Sequence, residues 1–425
     1  MKIAIIGTGI AGNVAAWKLC REHDITVFEA GDHVGGHTHT HTVDDNGRSL
    51  AIDTGFIVFN DWTYPNFIAL LDELGVPSQP GEMSFGVKCE RSGLEYKGHS
   101  LNTLFAQRRN LLRPSFHRML RDIVRFNREA RNLLDSDDSS LTLGDYLRDN
   151  HYSAAFTDYY IIPMGAAIWS AGPRRMLSFP AACFVRFFAN HGLLNIKNRP
   201  QWRVIRGGSK AYVERLTAPF RQQIRLNTPV TGITRRATHV EICSGRDQVE
   251  RFDRVFIACH SDQALAMLRD ASAQEREVLG AIPYQHNDVV LHTDTSLLPR
   301  RRLAWSAWNY HRLAGDNAAV AVTYNMNLLQ SLPTQQTFLV TLNNSAAIDP
   351  GKIIKRLSYD HPVFTVEGIA AQQRQAEING VNRSYFCGAY WRHGFHEDGV
   401  VSALNALQHF REKDSEQQLP LSRAS

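Results

Sequence analysis

The stretch Lys2–Gly12 constrains this chain more than any other. Ile3–Ile6 is an unbroken run of β-branched residues and alanine, and Gly7-Thr-Gly9-Ile-Ala-Gly12 follows at once. A run without polar alternation suits a strand covered on both faces, as in a parallel sheet. Gly7 permits the tight turn, Gly9 lets the backbone approach a pyrophosphate, and Gly12 lets the next helix pack closely on the strand. That helix opens at Ile10 and Ala11, so its free N–H groups and positive dipole end face the phosphates. It continues through Ala15, Ala16, Trp17 and Leu19, and Ile25-Thr-Val-Phe28 supplies a second strand ending at Glu29. With Ala30 beside it, Glu29 is placed to accept hydrogen bonds from ribose hydroxyls. The same carboxylate repels a 2′-phosphate, which disfavours NADP. Strand, glycines, helix, strand and acid in this order predict a dinucleotide site.

With 425 residues, of which 43% are hydrophobic and 21% charged, the chain can bury a large core and is expected to form two domains. The net charge of +5 is weak for this length and gives no reason to expect a nucleic-acid partner. Six scattered cysteines lack CxxC or CxxCH spacing, which argues against a zinc site, a dithiol centre or haem attachment and fits a reducing compartment. No leader pattern precedes the first strand, and no apolar run is long enough to span a bilayer. The expectation is a soluble, cytoplasmic protein, at most resting on the inner face of the membrane.

The stretch Glu29-Ala-Gly-Asp-His33-Val34-Gly35-Gly36-His37-Thr38 resembles the acid and double-glycine element of the flavin-containing amine oxidase, protoporphyrinogen oxidase and phytoene desaturase superfamily. The resemblance implies FAD, with Gly35, Gly36, His37 and Thr38 along the pyrophosphate and ribityl chain and Thr54 and Gly55 joining them. His33 and His37 stand where the family pattern usually carries arginine, leaving the phosphate charge less well neutralised although the backbone cradle remains. Two further regions resemble the same superfamily. Asn227-Thr-Pro-Val230-Thr-Gly-Ile looks like the strand whose valine backbone touches the adenine, and Arg254–Cys259 like the strand that follows it. Tyr385-Phe-Cys-Gly388 and then Gly394-Phe-His-Glu-Asp-Gly399-Val400 look like the closing FAD motif. The resemblance implies that a helix begins there beneath the flavin, with the amides of Gly399 and Val400 stabilising negative charge on the reduced ring.

The fold class expected is α/β: a Rossmann-like FAD-binding domain, glutathione-reductase-like, with a discontinuous α+β substrate domain. Residues 1–85, 200–280 and 380–425 are assigned to the first, and 86–199 and 281–379 to the second. The segment 86–199 reads as mainly helical, Asp288–His292 and Ala318–Thr323 as strands, and Glu412 onward as a polar tail.

Function beyond the flavin is less constrained. Tyr159–Trp169, Met176–Pro180 and Phe184–His191 are dense in aromatic and aliphatic residues, either plain core or the wall of an apolar cavity. With Trp202–Lys210 they resemble a bacterial subgroup of NAD/FAD-binding proteins often encoded beside cyclopropane-fatty-acyl-phospholipid synthases, which suggests an acyl-lipid substrate. Eight arginines (108, 109, 113, 118, 121, 125, 128, 131) share the segment 105–134 with Leu112, Phe116, Met119, Leu120, Ile123 and Leu134 at helical spacing. This basic amphipathic helix lies either on an anionic membrane or against the core with a solvated outer face.

Three readings follow. The first is oxidation or desaturation of an apolar acyl lipid or polyene by hydride transfer to flavin N5. The second is amine oxidation, against which the lysine-free stretch Ile282–His292 counts, since many amine oxidases place a lysine opposite N5. The third is a flavin-dependent isomerase or a membrane-associated FAD-binding protein without net redox chemistry. No second glycine-rich strand–helix unit is evident, so NAD(P)H is not expected as reductant. His396 is the preferred acid/base residue, because histidine exchanges protons near neutrality, with Glu397, Asp398, His191 and Tyr310 as further candidates and a role in capping the helix or supporting the residues that touch the flavin open for the His396–Asp398 trio. No metal is expected at His37-x-His39-x-His41, which lacks a suitable acidic cluster.

Overall fold

A computed structural model describes residues 1–135, 140–169, 172–245, 248–315 and 320–418, with side chains described as far as Lys413. Its centre is a five-stranded parallel sheet in the order Ile224–Arg225, Asp24–Phe28, Lys2–Ile6, Arg254–Ile257, Ser384–Phe386. The first strand is central, which is why Ile3–Ile6 carry no polar residue. Its side chains alternate between the two faces of the sheet. Ile3 and Ile5 meet the first helix, Ile10–Leu19, and the last, His396–Gln418, in one core with Val14, Ala403 and Phe410. Ala4 and Ile6 meet a three-stranded antiparallel sheet, Val230–Arg235, Val240–Ser244 and Gln248–Phe252, through Ile233, Val240 and Ile242.

A second sheet of seven strands runs in the order Ile353–Pro362, Tyr284–His292, Leu339–Leu342, Ala321–Asn325, Trp308–Arg312, Phe85–Cys89, Glu95–Lys97. It is antiparallel except where Trp308–Arg312 runs parallel to Phe85–Cys89. The helical part of the chain between 101 and 190 covers one face through Val87, Tyr310 and Val322, while Val289, Leu291 and Val340 on the other face pack on Leu50 and Ile52.

Several expectations change here. The segment 86–199 is mainly helical, as expected, but it opens on Phe85–Cys89 and Glu95–Lys97, the last two strands of the seven-stranded sheet, whose Val87, Cys89 and Tyr96 are buried by tertiary packing that outweighs local pattern. Helices Val366–Gln372 and Gln375–Ile378 pack through Ala371 and Ile378 onto Phe386 and Val278, so they belong with the five-stranded sheet rather than with 281–362. The strand expected at 318–323 is Ala321–Asn325; its first residues, 318 and 319, lie outside the described residues. The polar tail is helical as far as Gln418, and 419–425 lie outside the described residues.

The Arg-rich segment is broken. Residues Arg108–Leu112 form a 3-10 turn, Pro114–Glu129 a helix and Ala130–Leu133 another 3-10 turn. Pro114 lacks an N–H and pushes Arg113 into extended geometry, which fixes the break. The apolar stripe of the helix, Phe116, Met119 and Phe126, faces the core. A second proline shapes the neighbouring helix. Pro163 leaves the carbonyl of Tyr159 without its helical donor, the chain widens into a π turn at Thr157–Ile161, and the Tyr96 hydroxyl donates to that carbonyl at 2.6 Å.

Candidate active site

The nucleotide end is built from backbone. Gly7 adopts φ +98° and hands the chain to the helix; a Cβ on Gly12 would lie 2.0 Å from the Gly7 carbonyl oxygen, so this turn closes only with glycine there. A Cβ on Gly9 would meet no atom within 4 Å, the open approach a diphosphate requires. No side chain caps Gly9, and the first helical turn carries no acid. Glu29 is held by the Thr8 N–H and the Gly31 N–H, each at 2.9 Å. Thr228 and Asn227 donate backbone N–H groups to the carbonyls of Glu29 and Gly31 at 2.8 and 2.9 Å, which holds the segment leading into Val230 against the turn after Glu29. These residues fit an adenosine diphosphate: open glycine backbone for the phosphates, a carboxylate for the ribose and Val230 nearby for the base.

The double-glycine loop continues along the same edge. A Cβ on Gly36 would come within 3.0 Å of the Gly9 Cα, so the two glycine loops touch. The chain then pairs with the segment carrying Thr54 and Gly55: the Thr54 N–H donates to the His39 carbonyl at 3.0 Å and the Phe56 N–H to the His37 carbonyl at 2.7 Å. A Cβ on Gly55 would lie 2.1 Å from the His37 carbonyl oxygen, which requires glycine there. Below this pair Asp53 is buried and accepts hydrogen bonds from the Ser209 N–H at 2.9 Å, the Ser209 hydroxyl at 2.7 Å and the Gln330 amide at 3.0 Å. Burial raises its carboxyl to about 6 although these donors oppose the shift.

The flavin end is assembled by the start of the last helix. Gly388 donates its N–H to the Ser402 hydroxyl at 2.9 Å, tying the last strand of the five-stranded sheet to that helix. The amides available differ from those expected. The Gly399 N–H is taken by the Phe395 carbonyl at 3.1 Å, and Val400 lies one residue deeper in the helix with its side chain in the core. The first-turn N–H groups that helix geometry leaves free are those of His396, Glu397 and Asp398. Gly399 matters for another reason: a Cβ there would come within 2.5 Å of Ile10 Cγ2, so its absence lets the last helix lie on the first.

The acid/base candidates are held tightly. His396 stacks on Phe56 with ring centroids 3.5 Å apart and planes within 6°, and its Nε2 lies 2.7 Å from the Tyr212 hydroxyl and 3.0 Å from the Thr38 hydroxyl. Burial lowers its pKa to about 3, so it is a neutral imidazole at physiological pH. In this geometry it positions Thr38 in the double-glycine loop. Glu397 accepts N–H donors from Asn66 and Phe67 at 3.1 and 2.8 Å, binding the last helix to Pro65–Glu73. Asp398 accepts the N–H groups of His393 and Phe395 at 3.2 and 2.9 Å, and burial lifts it to about 6. His191 stacks on Phe187 at 3.9 Å and reaches Phe395, whereas Tyr310 lies in the core between the seven-stranded sheet and the helices.

Three features here are not evident in the motifs: Asp53, the aromatic residues around Phe395, and a cluster of histidines. His37 faces His260, His361 and Tyr359 at centroid distances of 6.0, 5.6 and 5.1 Å. His39 stacks between His33 and His41 at 3.9 and 4.1 Å. The alternation of His37, His39 and His41 with Thr38 and Thr40 is the available sequence signal, a period of two that puts the imidazoles on one face and the hydroxyls on the other. Among the described residues no group of three His, Cys, Asp or Glu side chains converges as a metal site.

Residues 10–315 match the family described as flavin-containing amine oxidoreductase. The chain belongs to this family. A protein of Mycobacterium tuberculosis named as a flavin-containing monoamine oxidase, AofH, is 26% identical over 340 residues, 76% of this chain and 70% of that one. Among solved structures, cyclohexylamine oxidase from Brevibacterium oxydans superposes with a TM-score of 0.69 at 16% identity, covering 98% of this chain and 99% of its own. A fatty acid isomerase from P. acnes that produces CLA superposes with a TM-score of 0.69 at 18% identity, covering 96% and 98%. At these identities the solved structures establish the fold. The family establishes a flavin-dependent oxidoreductase, and its cofactor is FAD, which the glycine backbone, Glu29 and the first turn of the last helix are shaped to hold. When bound, FAD supplies a two-electron acceptor.

Proposed function

We propose that this oxidoreductase removes two hydrogens from an apolar acyl-lipid or polyene substrate. One observation carries the reading: an apolar aromatic wall ends at the residue preceding the flavin-facing helix. Trp169 packs on Phe179 and Phe187 at 4.9 and 4.7 Å, Phe187 stacks on Phe395 at 5.4 Å, and Phe179 approaches Phe364 at 6.2 Å. Glu397 and Asp398, beside it, are both engaged by backbone N–H groups, so neither is free to pair with a substrate ammonium. The strand Tyr284–His292 has no lysine, and its buried Asn287 bonds to the Tyr359 carbonyl and Asn343 instead. The P. acnes neighbour of the same fold is a fatty acid isomerase, which supports an acyl substrate.

The same reading gives the Arg-rich segment a task. Leu101, Leu111 and Leu112 are 75%, 51% and 89% exposed beside Arg108 and Arg109, an apolar and cationic edge suited to an anionic lipid surface. In the described residues no helix is long and apolar enough to cross a membrane, so contact is peripheral.

Amine oxidation is the second reading, favoured by the family and by AofH. Anaerobic incubation of FAD-loaded protein with an equimolar panel of acyl lipids and amines, followed by mass spectrometry, tests both. The proposal expects an acyl product two hydrogens lighter. An acyl product of unchanged mass means isomerisation, and a deaminated product moves amine oxidation to first place; either overturns it.

A further inference from the structure

The diphosphate of FAD brings negative charge to the glycine loop, and histidine-bearing segments lie against that loop. His37 leaves the loop at Gly36, which touches Gly9, and His260 follows Ala258 and Cys259, which a Cβ on Gly7 would meet at 3.0 and 3.4 Å. Both imidazoles therefore spring from segments in contact with the phosphate-facing backbone. His361, on the edge strand Ile353–Pro362, closes the cluster with Tyr359 beside it. Among the described residues His37 Nε2 is shielded from solvent and has no hydrogen-bond partner, although the Asp360 backbone bonds to the same imidazole. The charged groups acting most strongly on the three are one another, His396, Asp262 and Asp360, with no lysine or arginine among them. Tyr284, stacked on His260 at 4.5 Å, completes the titratable neighbours.

We infer that His37, with His260 and His361, forms a titrating cradle for the FAD diphosphate, supplying positive charge by taking up a proton as FAD binds. In the FAD-free protein burial and mutual repulsion hold these imidazoles neutral, His37 well below its ordinary value and His361 at about 4. A phosphate anion beside them favours the charged form and raises these values. Groups whose pKa rises on binding strengthen that binding below the bound-state pKa, and the gain is lost as pH rises through it. FAD is thus held more tightly in mild acid than in mild alkali. The FAD diphosphate keeps its own charge across this range, so the dependence belongs to the protein. The inference depends on FAD occupying this site and is independent of which substrate is oxidised.

The test is equilibrium dialysis of the FAD-loaded full chain at a fixed FAD concentration between pH 5.5 and 8.5, reading bound flavin by absorbance and the fold by far-ultraviolet circular dichroism. The dissociation constant is expected to rise about tenfold per pH unit for each proton linked. His37→Gln is expected to bind more weakly at the acid end with a shallower slope. His37→Arg, which carries a permanent charge, is expected to bind tightly with a shallower slope than the wild type. A wild-type dissociation constant that does not change with pH, or a His37→Arg profile parallel to wild type, overturns the inference.

Discussion

The glycine loop at residues 7–12 and the aromatic wall around Phe187 are specified in opposite ways. In the loop the requirement is an absence: Gly12 leaves room for the Gly7 carbonyl, and Gly9 leaves its approach open. In the wall the requirement is bulk. Phe184, Phe187 and Phe188 are each at most 3% exposed and packed against side chains from distant parts of the chain, Phe395 among them. A region defined by backbone tolerates almost no substitution and binds a ligand common to many proteins. A region defined by side-chain volume can be repacked around different substrates, and there this protein's specificity is expected to reside.

That contrast breaks most sharply at Gly12. Gly12→Val puts a β-branched side chain where even a Cβ would sit 2.0 Å from a carbonyl oxygen, and the expected outcome is protein purified without FAD. Retention of stoichiometric FAD would show that the loop is not under steric control. Next in size, Phe187→Ala is expected to cost about 3–5 kcal/mol of stability by chemical denaturation. FAD content at 20 °C should stay near wild type while turnover of an acyl lipid falls. Equal loss of FAD would mean that wall and cofactor site are one energetic unit.

The smallest effect is titration of the wall. Burial lowers His191 and His393 to about 4, so between that value and their ordinary 6.5 the unfolded chain binds protons that the folded one does not. Stability is therefore full above pH 6.5 and lost as pH falls toward 4, by roughly 1 kcal/mol per pH unit for each histidine. Melting temperatures of His191→Leu across pH 7 to 5 should fall less steeply than those of wild type. Parallel curves would remove His191 from the account.

The same contrast explains what could be read from the sequence. Gly7, Gly9, Gly12 and Glu29 announce themselves because a local conformation demands those residue types in that order, and the structure brings Gly35 and Gly36 against that loop. The expected amides, Gly399 and Val400, lie past the free first-turn N–H groups of His396–Asp398, because a helix start is set by its capping contacts, here Asp398 turned back onto His393 and Phe395. The strands Phe85–Cys89 and Glu95–Lys97 are not legible locally because pairing with the distant Trp308–Arg312 and packing under the helices fix them. His260 and His361 carry no local signature; they join His37 only once the two sheets are assembled. The Arg-rich segment misled because helical spacing continued across Pro114 while the backbone did not.

The most direct test of the account is the absorbance of the bound flavin, followed without oxygen as purified protein is mixed first with a membrane lipid extract and then, in a fresh sample, with a panel of primary amines. An aromatic wall serving an apolar substrate predicts loss of the oxidised flavin band with the lipid extract and an unchanged spectrum with the amines. Bleaching by the amines, with none by lipid, would contradict it.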